Sequence, residues 1–230
     1  MTTEAAVFVD ALLDVCAPGA VLAAVLPEVL RGGSRYDRFR VAVERRLDVS
    51  AVQSAGVFDA LTDVDVFMLA GTVRPVPSLQ SSVSWTLASG SARLQDVCDV
   101  RVGTVVANRD PHLGPWRLYL DARELAGATT VRPTRHRRFR GTVFEPPFVV
   151  FGRTNRPEKG DRPRVRPTVV VADSSVAVEN HLIALLPYDN SVSGCRKLAA
   201  IVESSRASAF LDERLRCRHL TVRAIGDIPR

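Results

Sequence analysis

"PGAVLAAVLPEVLRGGS", residues 18–34, decides the fold of the first part of the chain. Pro18-Gly19 ends a preceding helix and makes a turn. The continuous apolar run 20–27 predicts a strand that is covered on both faces in a parallel sheet. Gly32-Gly33 then separates this strand from Ser34, which is a good N-cap for a second helix. This order of elements predicts α/β character.

The flanking segments continue the α/β pattern. Hydrophobic periodicity predicts a helix over residues 4–16, with a buried face formed by Ala5, Phe8, Leu12 and Val15. The helix after Ser34 is expected to bury Tyr36, Phe39, Val43 and Leu47. Residues 48–56 and 63–71 predict two further strands. Three strands are too few for a complete doubly wound domain.

The chain divides into two regions and a connector. Residues 1–72 form the α/β region, and residues 73–91, rich in Pro, Ser and Gly, predict a linker. Residues 92–230 predict an α+β domain. Its expected strands lie within 100–107, 142–151, 167–172 and 176–186, and its expected helices are roughly 194–204 and 206–215.

Charge is distributed unevenly along this chain of 230 residues with a net charge of +6. Residues 1–70 carry a net charge of −4, and residues 71–230 carry +10. This polarity favours a polyanion-binding second region, although a solvated surface with an arginine bias explains it equally well.

Several classes of protein are not expected. No apolar run approaches the roughly 18 residues of a membrane span, and the acidic N-terminal segment argues against a signal peptide. The cysteines show no Cys-x-x-Cys spacing, which predicts ordinary thiols in a reducing cytoplasm and no zinc site. They are Cys16, Cys98, Cys195 and Cys217.

The order of segments resembles the second half of an adenine-N6 DNA methyltransferase of restriction–modification or phage-defence systems. Residues 18–46 and 56–71 match the end of the catalytic domain, where a strand ending in Leu-Pro precedes a helix and a final pair of strands closes the sheet. Residues 144–154, 176–187 and 210–229 match the target recognition domain. The resemblance implies a partial Rossmann-like methyltransferase sheet, containing only the late strands and helices, followed by a target-recognition-like domain.

Glu145-Pro146-Pro147-Phe148 is similar to the family's catalytic Asn/Asp-Pro-Pro-Phe/Tyr tetrapeptide. In the family that tetrapeptide precedes the strand matched by residues 20–27 and follows an apolar strand, whereas here it comes long after and leads into one. We therefore predict a structural turn and strand start at this position. The chain is expected to carry no catalytic residues.

The cofactor half of the enzyme is also missing from the resemblance. A methyl-donor site needs a glycine-rich turn after the first strand, and Gly32-Gly33 is better explained as a loop. We predict that the chain binds no cofactor alone, and that S-adenosylmethionine binds the enzyme once a partner carrying the first half of the catalytic domain completes it. The alternative is a stand-alone DNA-binding or regulatory remnant without a role in methylation.

Arginines in the second region predict the contact with double-stranded DNA. Residues 131–166 hold 11 Lys/Arg and three Asp/Glu, and arginine suits both phosphate oxygens and guanine edges. A solvated loop is the competing interpretation. The candidate DNA-binding residues are Arg101, Arg109, Arg132, Arg135, Arg137, Arg138, Arg140, Arg153, Arg166, Arg218 and His219.

Four other residues of the second region are candidates for a core, turn, cap or DNA-contact role. His181 lies in an apolar segment and is expected to be a core histidine. Asn180 is compatible with base recognition or a turn, and Trp116 with a DNA-facing loop or the core. Thr221 is expected to cap a short C-terminal helix beside the basic residues 216–219. That segment is compatible with a phosphate site or with a packed basic turn.

Overall fold

The computed structural model describes residues 3–59, 61–62, 64–78, 84–85, 92–125, 127–155, 163–214 and 219–230. Its chain divides into two units, Met1–Ala88 with Asp212–Cys217 and Ser89–Leu211 with Arg218–Arg230. The described residues form a mixed α/β fold with three sheets and six α-helices. Within them, no helix combines the length and apolar character needed to cross a membrane.

The described residues of the first unit form three α-helices and three strands. In chain order they are α1 (Glu4–Val15), β1 (Val21–Pro27), α2 (Val29–Gly32), α3 (Asp37–Arg46), β2 (Leu47–Val57) and β3 (Asp65–Val73). β3 lies between β1 and β2 and runs antiparallel to both. The prediction that residues 20–27 lie in a parallel sheet is therefore wrong, because β1 pairs with an antiparallel neighbour.

β1 is also not covered on both faces. Its side chains alternate between buried and exposed, with Leu22 and Leu26 buried and Val21 80% exposed. A continuous apolar run carries no periodicity, so it could not reveal that one face of this strand is exposed.

Only part of the predicted face of α1 is buried, since Ala5 and Leu12 pack partly against the core of the unit. Thr3 caps the helix by accepting a hydrogen bond from the Ala6 backbone N–H. The buried side chains are Ala6, Val9 and Leu13, whereas Phe8 is 67% exposed. Nearly every residue of this helix is apolar, so two stripes had equivalent spacing and tertiary packing selected one of them.

The segment from α2 to α3 packs against the sheet as predicted, but the N-cap of α3 is Tyr36 and not Ser34. Val43 and Leu47 are buried in the core of the unit, and Tyr36 and Phe39 pack against it. The turn at Gly33 is tight, because an added Cβ would lie 2.4 Å from the Val29 carbonyl oxygen. This close approach explains the glycine in structural terms.

The described residues of the second unit form eight strands and three α-helices. They are β4 (Cys98–Val102), β5 (Trp116–Leu120), β6 (Thr130–Val131), β7 (His136–Arg138), β8 (Phe148–Gly152), β9 (Thr168–Val170), β10 (Val176–Val178), β11 (Leu182–Pro187), α4 (Val192–Glu203), α5 (Ser205–Arg214) and α6 (Val222–Gly226). One sheet has the order β4-β11-β8-β9-β6, and the other has the order β10-β5-β7. The last residues of α5 belong to the first unit.

Glu145–Phe148 is a turn that enters a strand, as predicted. Glu145 is exposed, the Pro146-Pro147 peptide bond is cis, and β8 begins at Phe148. Phe148 is fully buried and packs edge-on against Phe144 at 5.9 Å between ring centroids. The tetrapeptide therefore anchors the core of the second unit.

The described cysteines carry free thiols. Burial is the main cause that raises the pKa of Cys98 to about 12 and that of Cys195 to about 11, while Cys16 is half-buried. Cys217 lies outside the described residues. In the described ranges, no group of three or more His, Cys, Asp or Glu side chains is arranged to hold a metal ion.

Candidate nucleic-acid interface

The candidate interface is built on β5 and β7, two strands that the sequence analysis did not predict. They pair antiparallel, with Trp116 opposite Arg138 and Leu118 opposite His136. The alternation of Leu118 and Leu120 with Arg117 and Tyr119 is a signal for a half-buried strand that was available in the sequence. Leu118 and Leu120 pack against the core, which holds the pair in place.

The loop between β4 and β5 lies along β7. The Phe139 backbone N–H donates to the Pro115 carbonyl oxygen at 3.0 Å, and Arg138 Nε donates to the Gly114 carbonyl oxygen at 2.9 Å. Gly114 has a φ of +99°, and an added Cβ would lie 2.9 Å from Arg140. The glycine therefore allows the loop to lie directly against residues 138–140.

Exposed basic and aromatic side chains lie on this strand pair and on the loop that contacts it. We call them the arginine surface: Arg109, His112, Trp116, Arg138 and Arg140. Trp116 is 68% exposed, which removes the interpretation of Trp116 as a core residue. Arg109, Arg138 and Arg140 form no ion pair with a carboxylate of the described chain. The surface is thus positively charged and carries one aromatic ring.

Other candidate arginines are neutralised by neighbouring carboxylates. The Arg101 side chain is half-exposed, and its Nη2 lies 2.6 Å from Asp99 Oδ2. Arg135 pairs with Asp121, and its guanidinium stacks over the Tyr119 ring at 5.4 Å from the centroid. An exposed ion pair leaves less charge for a phosphate, so these two positions are weaker candidates than the arginine surface.

Arg137 is buried rather than surface-exposed. Only 5% of the residue is exposed, and its Nη2 donates to the Asp110 carbonyl oxygen at 2.6 Å. Its guanidinium also lies 5.7 Å from the centroid of the Tyr119 ring. Because these contacts hold the arginine inside the unit, we assign it a structural role and remove it from the interface.

Tyr119 organises the two stacked arginines. Burial, followed by the carboxylates of Glu179 and Asp121, raises the pKa of Tyr119 above its usual value. The phenol therefore stays neutral, and its ring contacts Arg135 and Arg137 on the same side of the strand pair. Tyr119 is not among the DNA-binding residues predicted from the sequence.

The remaining candidates lie elsewhere. Arg132 and Arg166 are exposed, and Arg153 is half-buried. His219 is exposed, with its Nδ1 3.4 Å from Thr154 Oγ1. Arg218 lies outside the described residues. None of the described contacts brings these side chains to the arginine surface.

The structure contradicts the prediction for His181 and places Asn180 in a turn. The His181 side chain is 67% exposed, and its Nδ1 lies 3.3 Å from Glu179 Oε1. It is therefore not a core histidine. A turn at residues 179–181 separates β10 from β11. The Asn180 backbone N–H donates to the Val105 carbonyl oxygen at 2.8 Å, which identifies the residue as part of this turn.

Thr221 caps α6, as predicted. Its Oγ1 accepts a hydrogen bond from the Ala224 backbone N–H at 3.1 Å. α6 has five residues, and the Thr221 hydroxyl already accepts the hydrogen bond of one N–H group in its first turn.

The Gly32-Gly33 turn does not fit a methyl-donor site. The Gly33 backbone N–H donates to the Val29 carbonyl oxygen at 2.8 Å and closes α2. Arg40 Nη1 donates to the carbonyl oxygens of Leu30, Arg31 and Gly33 at 2.9, 3.1 and 3.0 Å. The hydrogen bonds of these polar groups are made within the unit itself.

No protein-family model matches the chain, and no curated protein matches it significantly.

Proposed function

We propose that this protein is the DNA-recognition subunit, or a split C-terminal fragment, of an adenine-N6 DNA methyltransferase in a restriction–modification or phage-defence system. The chain is inactive alone. A partner polypeptide supplies the methyl-donor site and the catalytic tetrapeptide, and the complex acts in the cytoplasm. The family in this proposal comes from the sequence resemblance.

The arginine surface is the observation that carries the DNA-binding part of the proposal. Arginine donates paired hydrogen bonds to phosphate oxygens and to the O6 and N7 acceptors of guanine. Arg109, Arg138 and Arg140 have no competing carboxylate in the described ranges. Trp116 adds an apolar ring that suits contact with sugars, thymine methyl groups or an unstacked base. Double-stranded DNA is the ligand that this combination favours.

The first unit supports the need for a partner. It is a three-stranded sheet with α1 and α3 on one face, and apolar side chains are exposed on the other. Exposed apolar patches in soluble proteins commonly mark interaction sites. The first half of a methyltransferase catalytic domain is the partner that the segment order implies.

The division of labour can be tested directly. Purified alone, the chain should neither bind S-adenosylmethionine nor methylate genomic DNA. Co-purified with the polypeptide encoded next to it, it should form a complex that does both, measured by calorimetry and by transfer of a labelled methyl group to adenine. Tight binding of the methyl donor by the isolated chain would contradict the proposal. A complex that binds DNA without methylating it would instead favour the stand-alone DNA-binding role.

The arginine surface predicts a change in the salt dependence of DNA binding. Replacing Arg138 and Arg140 together by alanine should weaken binding to duplex DNA and lower the slope of log K against log salt concentration by about 2. The cause is the loss of two phosphate contacts and of the counterions that they release. Fluorescence anisotropy at several salt concentrations measures both quantities.

Arg101→Ala provides a matched control for this experiment. It also removes an exposed arginine from the second unit, but one that Asp99 already neutralises. We expect its salt slope to equal that of the unmodified chain. Equal slopes for the double variant and the control would exclude the arginine surface from the interface.

A further inference from the structure

One edge of the three-stranded sheet presents a regular row of backbone groups that pair with no other strand of the described residues. The Glu28 backbone N–H donates to the Asp65 carbonyl oxygen at 2.9 Å, and the Val73 N–H donates to the Ala20 carbonyl oxygen at 2.8 Å. Both pairs continue the register of β1 with β3. Alternate residues of an antiparallel strand bond to the same neighbour, so the even-numbered residues of β1 face β3. The N–H and C=O groups of Val21, Ala23 and Val25 therefore point away from the sheet, and no other described strand pairs with β1.

The two edges of this sheet differ in how they are protected. β2 forms the other edge, and its pairing with β3 contains two register shifts. It also carries polar side chains at Asp48, Ser50 and Gln53. Bulges and polar residues are the features that keep edge strands from pairing with other chains. β1 has an unbroken register over Val21–Pro27 and no charged side chain. Its one proline is its last residue, Pro27, so the edge at Val21, Ala23 and Val25 is open to another strand.

The same residues also form an uncovered apolar face. Val21, Ala23 and Val25 lie on the side of the sheet opposite the buried Leu22 and Leu26. The register places Thr72, Ala70 and Met68 beside them on β3. Val21 is 80% exposed, Val25 55% and Met68 44%. We call this set the open face. Its side chains carry no charge and no ring, which suits contact with an apolar covering layer.

A second copy of this chain does not satisfy both features. If β1 pairs with β1 of another copy, the two edges are filled but both open faces remain exposed to solvent. If two open faces stack on each other, the faces are covered but both edges remain free. A single partner that contributes a strand and a covering layer satisfies the edge and the face together.

We propose that β1 receives an edge strand from the second polypeptide of the complex, and that the same polypeptide covers the open face. The added strand hydrogen-bonds to Val21, Ala23 and Val25 and extends the sheet beyond three strands. The identity of that polypeptide rests on the proposed function. The edge and the face are properties of this chain, so the location of the joint can be tested separately from methylation.

Ala23→Pro tests the edge selectively. Proline removes the outward N–H of residue 23 and leaves the hydrogen bonds of Leu22 and Ala24 to β3 in place, and prolines are tolerated on edge strands. The probe is the polypeptide encoded next to this chain, and affinity is measured by calorimetry. We expect Ala23→Pro to weaken the complex by about tenfold or more, because a buried acceptor of the partner loses its donor. Ala23→Ser keeps the N–H and the size of the side chain, and we expect an unchanged affinity.

Two further measurements keep the test informative if the proline variant is unstable. Amide hydrogen exchange should show fast exchange at Val21, Ala23 and Val25 in the free chain and strong protection of the same three amides in the complex. Val21→Lys should weaken the complex by adding a charge to the open face, whereas Leu61→Lys should not. Leu61 is an apolar side chain that is 98% exposed outside this face.

The outcomes separate this inference from the proposed function. A methylating complex whose affinity is the same for Ala23→Pro and Ala23→Ser, with unchanged exchange at the three amides, overturns the inference and leaves the function standing. A homodimer that Ala23→Pro disrupts also overturns it, because the occupant is then a second copy. The absence of any complex overturns both. Selective loss of the complex with Ala23→Pro and Val21→Lys supports the inference.

Discussion

Replacing Arg31 by alanine should lower the free energy of unfolding of the first unit by about 3–5 kcal/mol. Arg31 is 2% exposed and Glu28 is 3% exposed. Arg31 Nε donates to Glu28 Oε1 at 2.6 Å. A buried ion pair contributes little net stability, but the removal of one partner leaves the other charge in a low-dielectric environment. The expected loss is therefore larger than that of a surface pair.

Arg31 also connects parts of the unit that are distant in sequence. Its Nη1 donates to the Trp85 carbonyl oxygen at 3.0 Å and to Glu213 Oε1 at 3.3 Å. Trp85 in turn packs edge-on against Phe39 and Phe67, with ring centroids 6.3 and 6.1 Å apart. The alanine variant loses these hydrogen bonds together with the ion pair, so we expect the environment of Trp85 to change.

Urea denaturation followed by tryptophan fluorescence measures this prediction. The chain contains two tryptophans, and a Trp116→Phe background leaves Trp85 as the only reporter. Arg38→Ala is the matched control, because it removes an exposed arginine from the same unit and should change stability by less than about 0.5 kcal/mol. Adding Glu28→Gln to Arg31→Ala should restore part of the loss, since the buried negative charge is then absent. A stability for Arg31→Ala equal to that of Arg38→Ala would contradict the buried-charge explanation.

The sequence predicted most elements of the first unit but not how they pair. β1, β2, β3 and the helix after Ser34 were predicted from apolar runs, glycines and a cap, which are local signals. The antiparallel pairing of β1 with β3 depends on contacts between residues about 50 positions apart, such as Val21 and Thr72. Local pattern holds no information on such a pairing. The same limit explains why Phe8 and Val15 of α1 are exposed although the sequence predicted them to be buried.

In the second unit, the sequence indicated a basic region without distinguishing its members. Arg135, Arg137 and Arg138 are nearly consecutive, yet they have three different environments. Arg135 pairs with Asp121, Arg137 is buried against Asp110, and Arg138 is exposed beside Trp116. Alternation along the strand places Arg138 on the opposite side from Arg135 and Arg137, which both contact the Tyr119 ring. Arg135 and Arg137 then differ in depth, since Arg135 is exposed and Arg137 is buried. Because β7 was not predicted, the three arginines were grouped together.

Replacing Gly103 by alanine should destabilise the second unit by about 3 kcal/mol, the upper end of the usual range for overpacking. An added Cβ would lie 1.9 Å from the Glu179 carbonyl oxygen and 2.7 Å from the Val178 carbonyl oxygen. Both atoms belong to the backbone and cannot move aside as a flexible side chain would. Either Gly103 or the turn at residues 179–181 must be displaced.

This displacement should also reach the arginine surface. The Gly103 N–H donates to the Leu182 carbonyl oxygen at 2.9 Å, and the Val105 N–H donates to the Val178 carbonyl oxygen at 2.9 Å. These bonds fix the start of the loop that continues to Arg109 and lies along β7. We therefore expect Gly103→Ala to weaken DNA binding although Gly103 lies outside the arginine surface.

Gly152→Ala separates this effect from the general effect of replacing a glycine in the second unit. At Gly152 an added Cβ would meet only the Thr154 carbonyl oxygen, at 3.7 Å, which is an ordinary contact. We expect that variant to remain within about 1 kcal/mol of the parent and to bind DNA normally. Thermal unfolding followed by circular dichroism measures the stability, and anisotropy at one salt concentration measures the binding. If Gly103→Ala matched Gly152→Ala in both measurements, the close approach of the two backbone segments would not hold the loop in place, because a methyl group would then fit between them.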